Sequence, residues 1–177
     1  MVRKIQVEQI KKVKKAVPLI ESKIKIHFSF GNTYVTIKGP EQNEYITEQI
    51  VRAIDFGFDP EDALLLQKED FLLKFIDIKD HTRRKNLKDV RGRVIGRSGK
   101  AKKTIENLTG ASLVIKNNNI GLIIDNLHLD TTIQAIETLI HGTKHGTVFS
   151  YLERQNKNIN TTDQDDLGLK NPKKDIE

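Results

Sequence analysis

The 177 residues contain no cysteine and no tryptophan. The first absence removes disulfides, thiol nucleophiles and cysteine-ligated zinc together. The second, with aromatics at only 6%, argues against a single-strand binder built from many stacked aromatic platforms. No apolar run approaches bilayer length. The opening Met1-Val-Arg-Lys-Ile-Gln-Val7 has basic residues but no apolar stretch ahead of a small-residue cleavage site. An unprocessed, cytoplasmic chain without a membrane role is expected. Acid is nearly missing from one stretch. Between Arg83 and Lys103 stand ten Lys or Arg against the single Asp89, a local balance of +9 in a chain whose total is +6, so the remainder carries −3. A positive field concentrated on one segment is what a polyanion site requires.

Lys23-Ile-Lys-Ile-His-Phe-Ser-Phe30 alternates polar and apolar residues, and Gly31-Asn32 leads into Thr33-Tyr-Val-Thr-Ile-Lys38. This pattern predicts a β-hairpin. Ile46, Ile50, Val51 and Ile54 follow at helical spacing up to Gly57, and Asp59-Pro60 opens a short helix through Leu66. The order recurs: Ser112 to Lys116, a turn at Asn117-Asn-Asn119, Ile120 to Asp125, then a helix bearing Ile133, Ile136 and Ile140 that ends at Gly142. Ile37 and Ile123, Ile50 and Ile136, Ile54 and Ile140 all keep an offset of 86, which reads as an internal duplication. Arg3 to Val7 and Phe71 to Ile78 supply the first strand of each copy. The expected fold is α+β: two tandem units, each a three-stranded antiparallel sheet with helices on one face. The expected divisions are residues 1–69, 70–155 and a disordered tail over 156–177, where apolar residues are few.

Gly96-Arg-Ser-Gly99 runs straight into a helical pattern. A helix N-terminus offers unpaired N–H groups and the positive end of a dipole, and glycines before it let a phosphodiester approach. Val94 and Ile95 before the loop, with Ile105 and Leu108 after it, predict two short helices packed on a sheet. Arg97 and Ser98 then lie at the tip, with Arg91, Arg93, Lys100, Lys102 and Lys103 around it. Bases would lie in the groove beside the strand carrying Leu113 and Ile115. A Walker A loop and a dinucleotide fingerprint both need glycine where Val94 stands, so both fail.

The run Gly92-Arg-Val-Ile-Gly-Arg-Ser-Gly-Lys-Ala-Lys-Lys-Thr-Ile-Glu-Asn-Leu-Thr-Gly110 resembles the GxxG core of a type I K-homology (KH) domain, a module that clamps about four nucleotides of single strand. Val51 to Pro60, Phe75 to Ile78 and His145 to Glu153 are similar to the archaeal Partner of Nob One / Krr ribosome-assembly family. The resemblance implies a small-subunit rRNA binder acting near the 3′ end of that RNA. It also implies the Nob endonuclease and an initiation-factor-two α subunit as partners, and a place for His145 near the RNA groove. No glycine precedes Gly31, so the first copy has no such loop; Gln9 to Lys15 stand there as a shortened helix. The first copy is therefore expected to be a degenerate, structural or docking KH-like domain.

No catalytic residue, metal or cofactor is expected. His141 and His145 are four apart but interrupted by glycines and lack a third ligand. Asp163, Asp165 and Asp166 fall in the expected tail, where nothing would hold metals for two-metal chemistry. A KH-type regulator of mRNA or ssDNA, or a protein-interaction scaffold, would carry the same loop.

Overall fold

The computed structural model describes residues 2–166. The first half contains β1 (Val2–Gln6), α1 (Ile10–Lys23), β2 (His27–Phe30), β3 (Tyr34–Lys38), α2 (Glu41–Phe56) and α3 (Pro60–Ala63). The second contains β4 (Phe71–Asp77), α4 (Leu87–Ile95), α5 (Lys100–Thr109), β5 (Ser112–Lys116), β6 (Asn119–Asp125), α6 (Asn126–His141) and α7 (His145–Asp166). Both sheets are antiparallel, with orders β1-β3-β2 and β4-β6-β5. The two halves thus repeat one topology. Ile37 and Ile123 hold the central strands, while Ile50 with Ile136 and Ile54 with Ile140 sit on the inner faces of α2 and α6, all fully buried. Among the described residues no helix is long and apolar enough to cross a membrane.

Three expectations need correction. The first hairpin strand covers only His27–Phe30, because α1 runs through Lys23 and the Ile24 N–H donates to the Ile20 carbonyl. Ile20, Ile24 and Ile26 are all buried; the first two obey the helical period, and a strand starting at Lys23 would separate them. Ile10 to Lys15 belong to this 14-residue helix, with Gln9 just ahead of it, and the helix stands where the second half has α4, the loop and α5. The third correction is at the C-terminal end. α7 continues through Asp166, past Asn156 where a disordered tail was expected. Val148 and Leu152 are buried in the second core, and the Asn156 side-chain amide donates to the Leu108 carbonyl at the end of α5. Residues 167–177 of the expected tail lie outside the described residues.

Helices on one face describe only part of the second sheet, for its other face is covered as well. Strand β6 is buried at every position from Ile120 to Ile124. Ile120, Leu122 and Ile124, with Ile76 and Leu113, face α4, α5 and α6. Ile123, with Phe71, Leu73 and Val114, joins the core of the first half. Alternation of side chains across a pleated strand produces this division. Gly121 is the point of closest approach: a Cβ there would lie 2.8 Å from both Phe56 Cε1 and Phe58 Cε2. Phe56 also packs against Phe75, with the rings tilted and their centres 4.8 Å apart. At the rim, Lys116 Nζ lies 2.8 Å from Glu8 Oε2, and this hydrogen bond and charge hold the Glu8 carboxyl below the usual range.

Candidate nucleic-acid interface

Helix α4 stops at Gly96, whose φ of 74° and ψ of 173° belong to a region only glycine occupies readily. Space enforces the same choice, since a Cβ at Gly96 would meet the Ala101 backbone nitrogen and Cβ at 2.6 Å. Ser98 (φ 53°, ψ 31°) and Gly99 (φ 76°, ψ 10°) then turn left-handed before α5 begins. A left-handed serine costs on the order of 1 kcal/mol, the kind of local strain that clusters at binding sites. Gly99 differs from Gly96 because nothing lies within 4 Å of its Cβ direction. One glycine is packed inward and the other opens outward. Gly96→Ala is therefore expected to lower stability by about 2–4 kcal/mol through backbone strain and overpacking, read from urea unfolding.

The first turn of α5 carries no acidic residue, and no side chain caps it. Its orphan N–H groups and dipole end face the loop tip. Arg97, Lys100 and Lys103 are exposed around it, and Lys102 turns back to Glu106 at 3.6 Å. In the first half, just ahead of α1, the Asp55 carboxylate accepts from the N–H groups of Glu8 and Gln9 at 2.8 and 2.6 Å. A built-in carboxylate thus stands just ahead of that helix, held by the backbone of Glu8 and Gln9.

Beside the loop runs a groove of about 420 Å³. Ile95, Lys102 and Glu106 form one side, edge strand β5 at Leu113, Val114 and Ile115 the floor, and Gly57, Asp59 and Asp62 of the first half the far wall. The Leu113 N–H points away from β6 and donates to Glu106 Oε1 at 2.9 Å. By the antiparallel alternation Ile115, two residues on, turns its backbone polar groups the same way. A base edge laid in the groove would meet them.

The structure sorts the candidate residues. Ile95, Gly96, Arg97, Ser98, Gly99, Lys100, Lys102 and Lys103 come together at the loop, with Ile115 at the groove floor. Val94 is 0% exposed and Leu113 1%, so both support the site from the core and their side chains cannot reach RNA. Arg91 donates to the Asn117 carbonyl at 2.7 Å, bracing the β5–β6 turn. Arg93 donates to the carbonyls of Leu139 and Thr143, at 3.2 and 2.7 Å, and closes the end of α6. His145 lies 2.7 Å from the Arg93 carbonyl through Nε2, with its ring tilted against Phe149. These three residues tie elements together through backbone carbonyls.

A model of the second KH domain of PNO1, described as a eukaryotic type KH-domain (KH-domain type I), matches residues 72–157. A KH domain-containing protein of Methanocaldococcus jannaschii is 34% identical over 131 residues, covering 71% of this chain and 58% of that protein. The pre-rRNA-processing protein PNO1 of Candida albicans is 29% identical over 147 residues, covering 76% and 52%. The fold matches Dim2p of Pyrococcus horikoshii, crystallised in an a/eIF2α–aDim2p–rRNA complex, with a TM-score of 0.78 and 29% identity over 89% of this chain and 95% of that one. The chain belongs to the PNO1/Dim2 family of KH-domain proteins. It spans about half the length of the curated relatives it matches. A protein of unknown function from Aeropyrum pernix shares the fold with a TM-score of 0.86, 26% identity, and coverage of 97% and 98%.

Sequence reasoning missed the far wall of this PNO1/Dim2-type groove, Gly57, Asp59 and Asp62, together with Glu106 and Val114. Asp59 was legible only as the residue before a helix. The available signal was Gly121, since a glycine inside a strand marks a close approach by another part of the chain. Here the approaching groups are Phe56 and Phe58, which flank Gly57 and carry the wall into place.

Proposed function

We propose that the chain is a non-catalytic RNA-binding factor of small-subunit assembly and maturation, clamping single-stranded rRNA near the 3′ end of small-subunit rRNA through Gly96 to Gly99. One observation carries this reading: the uncapped start of α5, opened by outward-facing Gly99 and ringed by Arg97, Lys100 and Lys103. We divide the chain into a supporting domain, 1–69, and a clamping domain, 70–155, each with its own helix-backed sheet. The ribosomal role draws support from the pre-rRNA-processing name of the Candida albicans relative and from the rRNA in the Pyrococcus horikoshii complex. That complex also supports an initiation-factor-two α subunit as partner. The Nob endonuclease is proposed from family resemblance.

If about four phosphates are neutralised, log K for a short single-stranded RNA falls with log salt at a slope of roughly −3. Fluorescence anisotropy across a salt series checks this, and a slope near zero refutes the clamp. Crosslinking in cells followed by sequencing tests the ribosomal part. Recovery of the small-subunit 3′ region supports it, whereas a spread of messages favours an mRNA regulator. No saturable RNA binding at all favours a scaffold.

A further inference from the structure

The basic window between Arg83 and Lys103 does not fold into one patch. Its central arginines hold backbone carbonyls and its C-terminal cations ring the loop, while Arg83 and Arg84 lie elsewhere. Together with Lys79, His81 and His141 they line an open cavity of about 690 Å³, between the segment that follows β4 and the C-terminal end of α6. Asp80 is the one carboxylate among its described lining residues. The segment is ordered locally, with the Thr82 hydroxyl accepting from the Arg84 N–H at 3.2 Å. His81 Nδ1 lies 3.4 Å from Glu137 Oε1 on the outer face of α6.

A helix C-terminus attracts cations, and this explains one of the group. Arg84 Nη2 lies 2.9 Å from the Cβ direction of Gly142, the residue that ends α6. It leaves Lys79, Arg83 and His141, all exposed, around a space wide enough for a sugar-phosphate unit. The like charges of Lys79, Arg83 and Arg84 on an open cavity repel one another and are relieved by a polyanion, to which the histidines add hydrogen-bonding nitrogens. The cavity also adjoins the clamp. Arg93, three residues before Gly96, holds the Leu139 and Thr143 carbonyls on either side of His141. Helix α4, which separates the cavity from the loop, spans about 13 Å.

Building on the clamp proposed above, we infer that this cavity is a second phosphate-binding subsite for the same single-stranded RNA, taken up by nucleotides outside the four held at the loop. The loop anchors a short stretch, and the cavity gives the strand a second hold across the end of α6.

The test measures binding of the full chain to a decamer from the 3′ end of small-subunit rRNA and to tetramers tiled across it. The wild type is expected to bind the decamer more tightly, with a salt slope steeper by about 1–2 than that of the best tetramer. Arg83→Ala with Arg84→Ala should weaken decamer binding roughly 10- to 30-fold, return its slope to the tetramer value and leave tetramer affinity unchanged. Lys79→Ala with His141→Ala, on the other walls, should act in the same direction, and unaltered melting temperatures show that both variants fold. Equal loss for tetramer and decamer would overturn the subsite, because it would mean a general field, and so would unchanged decamer binding. A wild type that binds tetramers but gains nothing from the decamer sinks the subsite alone. If it binds neither RNA, the clamp falls too.

Discussion

Gly99→Asp is expected to lower affinity for short single-stranded RNA by roughly 30- to 100-fold while the protein stays folded, since a like charge set against a bound phosphate costs several kcal/mol. The Cβ enters open space, so no neighbour has to move. The left-handed backbone at φ 76° costs an aspartate about 1 kcal/mol, and a carboxylate at the N-terminus of α5 returns part of that through the helix dipole. The same carboxylate lies where a phosphate would meet the unpaired N–H groups. It would close the anion site with the protein's own charge. Affinity by anisotropy and melting temperature by circular dichroism separate the two effects. Undiminished binding in a folded variant refutes the clamp.

The second large effect is on stability. Phe58→Ala should cost about 3–5 kcal/mol, the usual range for deleting a buried phenylalanine ring. Phe58 is fully buried in the first core, and its edge meets β6 at Gly121. The cavity would open at the junction of the halves, with Phe56 at 6.2 Å as the nearest ring left to fill it. Urea unfolding should show the midpoint falling by at least 1 M, with a slope of about 1–3 kcal/mol/M. A loss below about 1 kcal/mol would mean that the junction is loose and that the ring is not tightly packed.

Sequence alone made the local grammar of the fold readable where one period dominated. Ser112 to Lys116 and Ile120 to Asp125 are short runs rich in β-branched and apolar residues around an asparagine turn, and the strands β5 and β6 follow within a residue. Ile50, Val51 and Ile54 mark the inner face of α2 in the same way. Around Ile24 two periods overlap, because the Lys-Ile-Lys-Ile alternation of a strand begins on the last turn of a helix that already buries Ile20. The C-terminal half of α7 was hidden for a different reason. Its anchor at Asn156 is a partner 48 residues away, at Leu108, and no local pattern announces it. The site shows the same division. The glycine loop and its exposed cations were legible from spacing and charge. The use of Arg93 on the carbonyls of Leu139 and Thr143 was not, nor was the approach of Asp59 and Asp62, because both depend on how distant elements pack.

Strand β6, buried on both faces, alters what the duplication means for the chain as an evolving object. A repeat whose copies share only a linker can lose one and keep the other. Here, removing the first copy would bare Leu73, Val114 and Ile123 to water and empty the space over Gly121. The half without a glycine loop thus serves as a wall and roof for the one that has it. Hydrogen exchange along β6 should accordingly be among the slowest in the molecule, protected by two layers at once. The two halves would then behave as one cooperative body, the relation of partners in an obligate dimer that happens to be written on a single polypeptide.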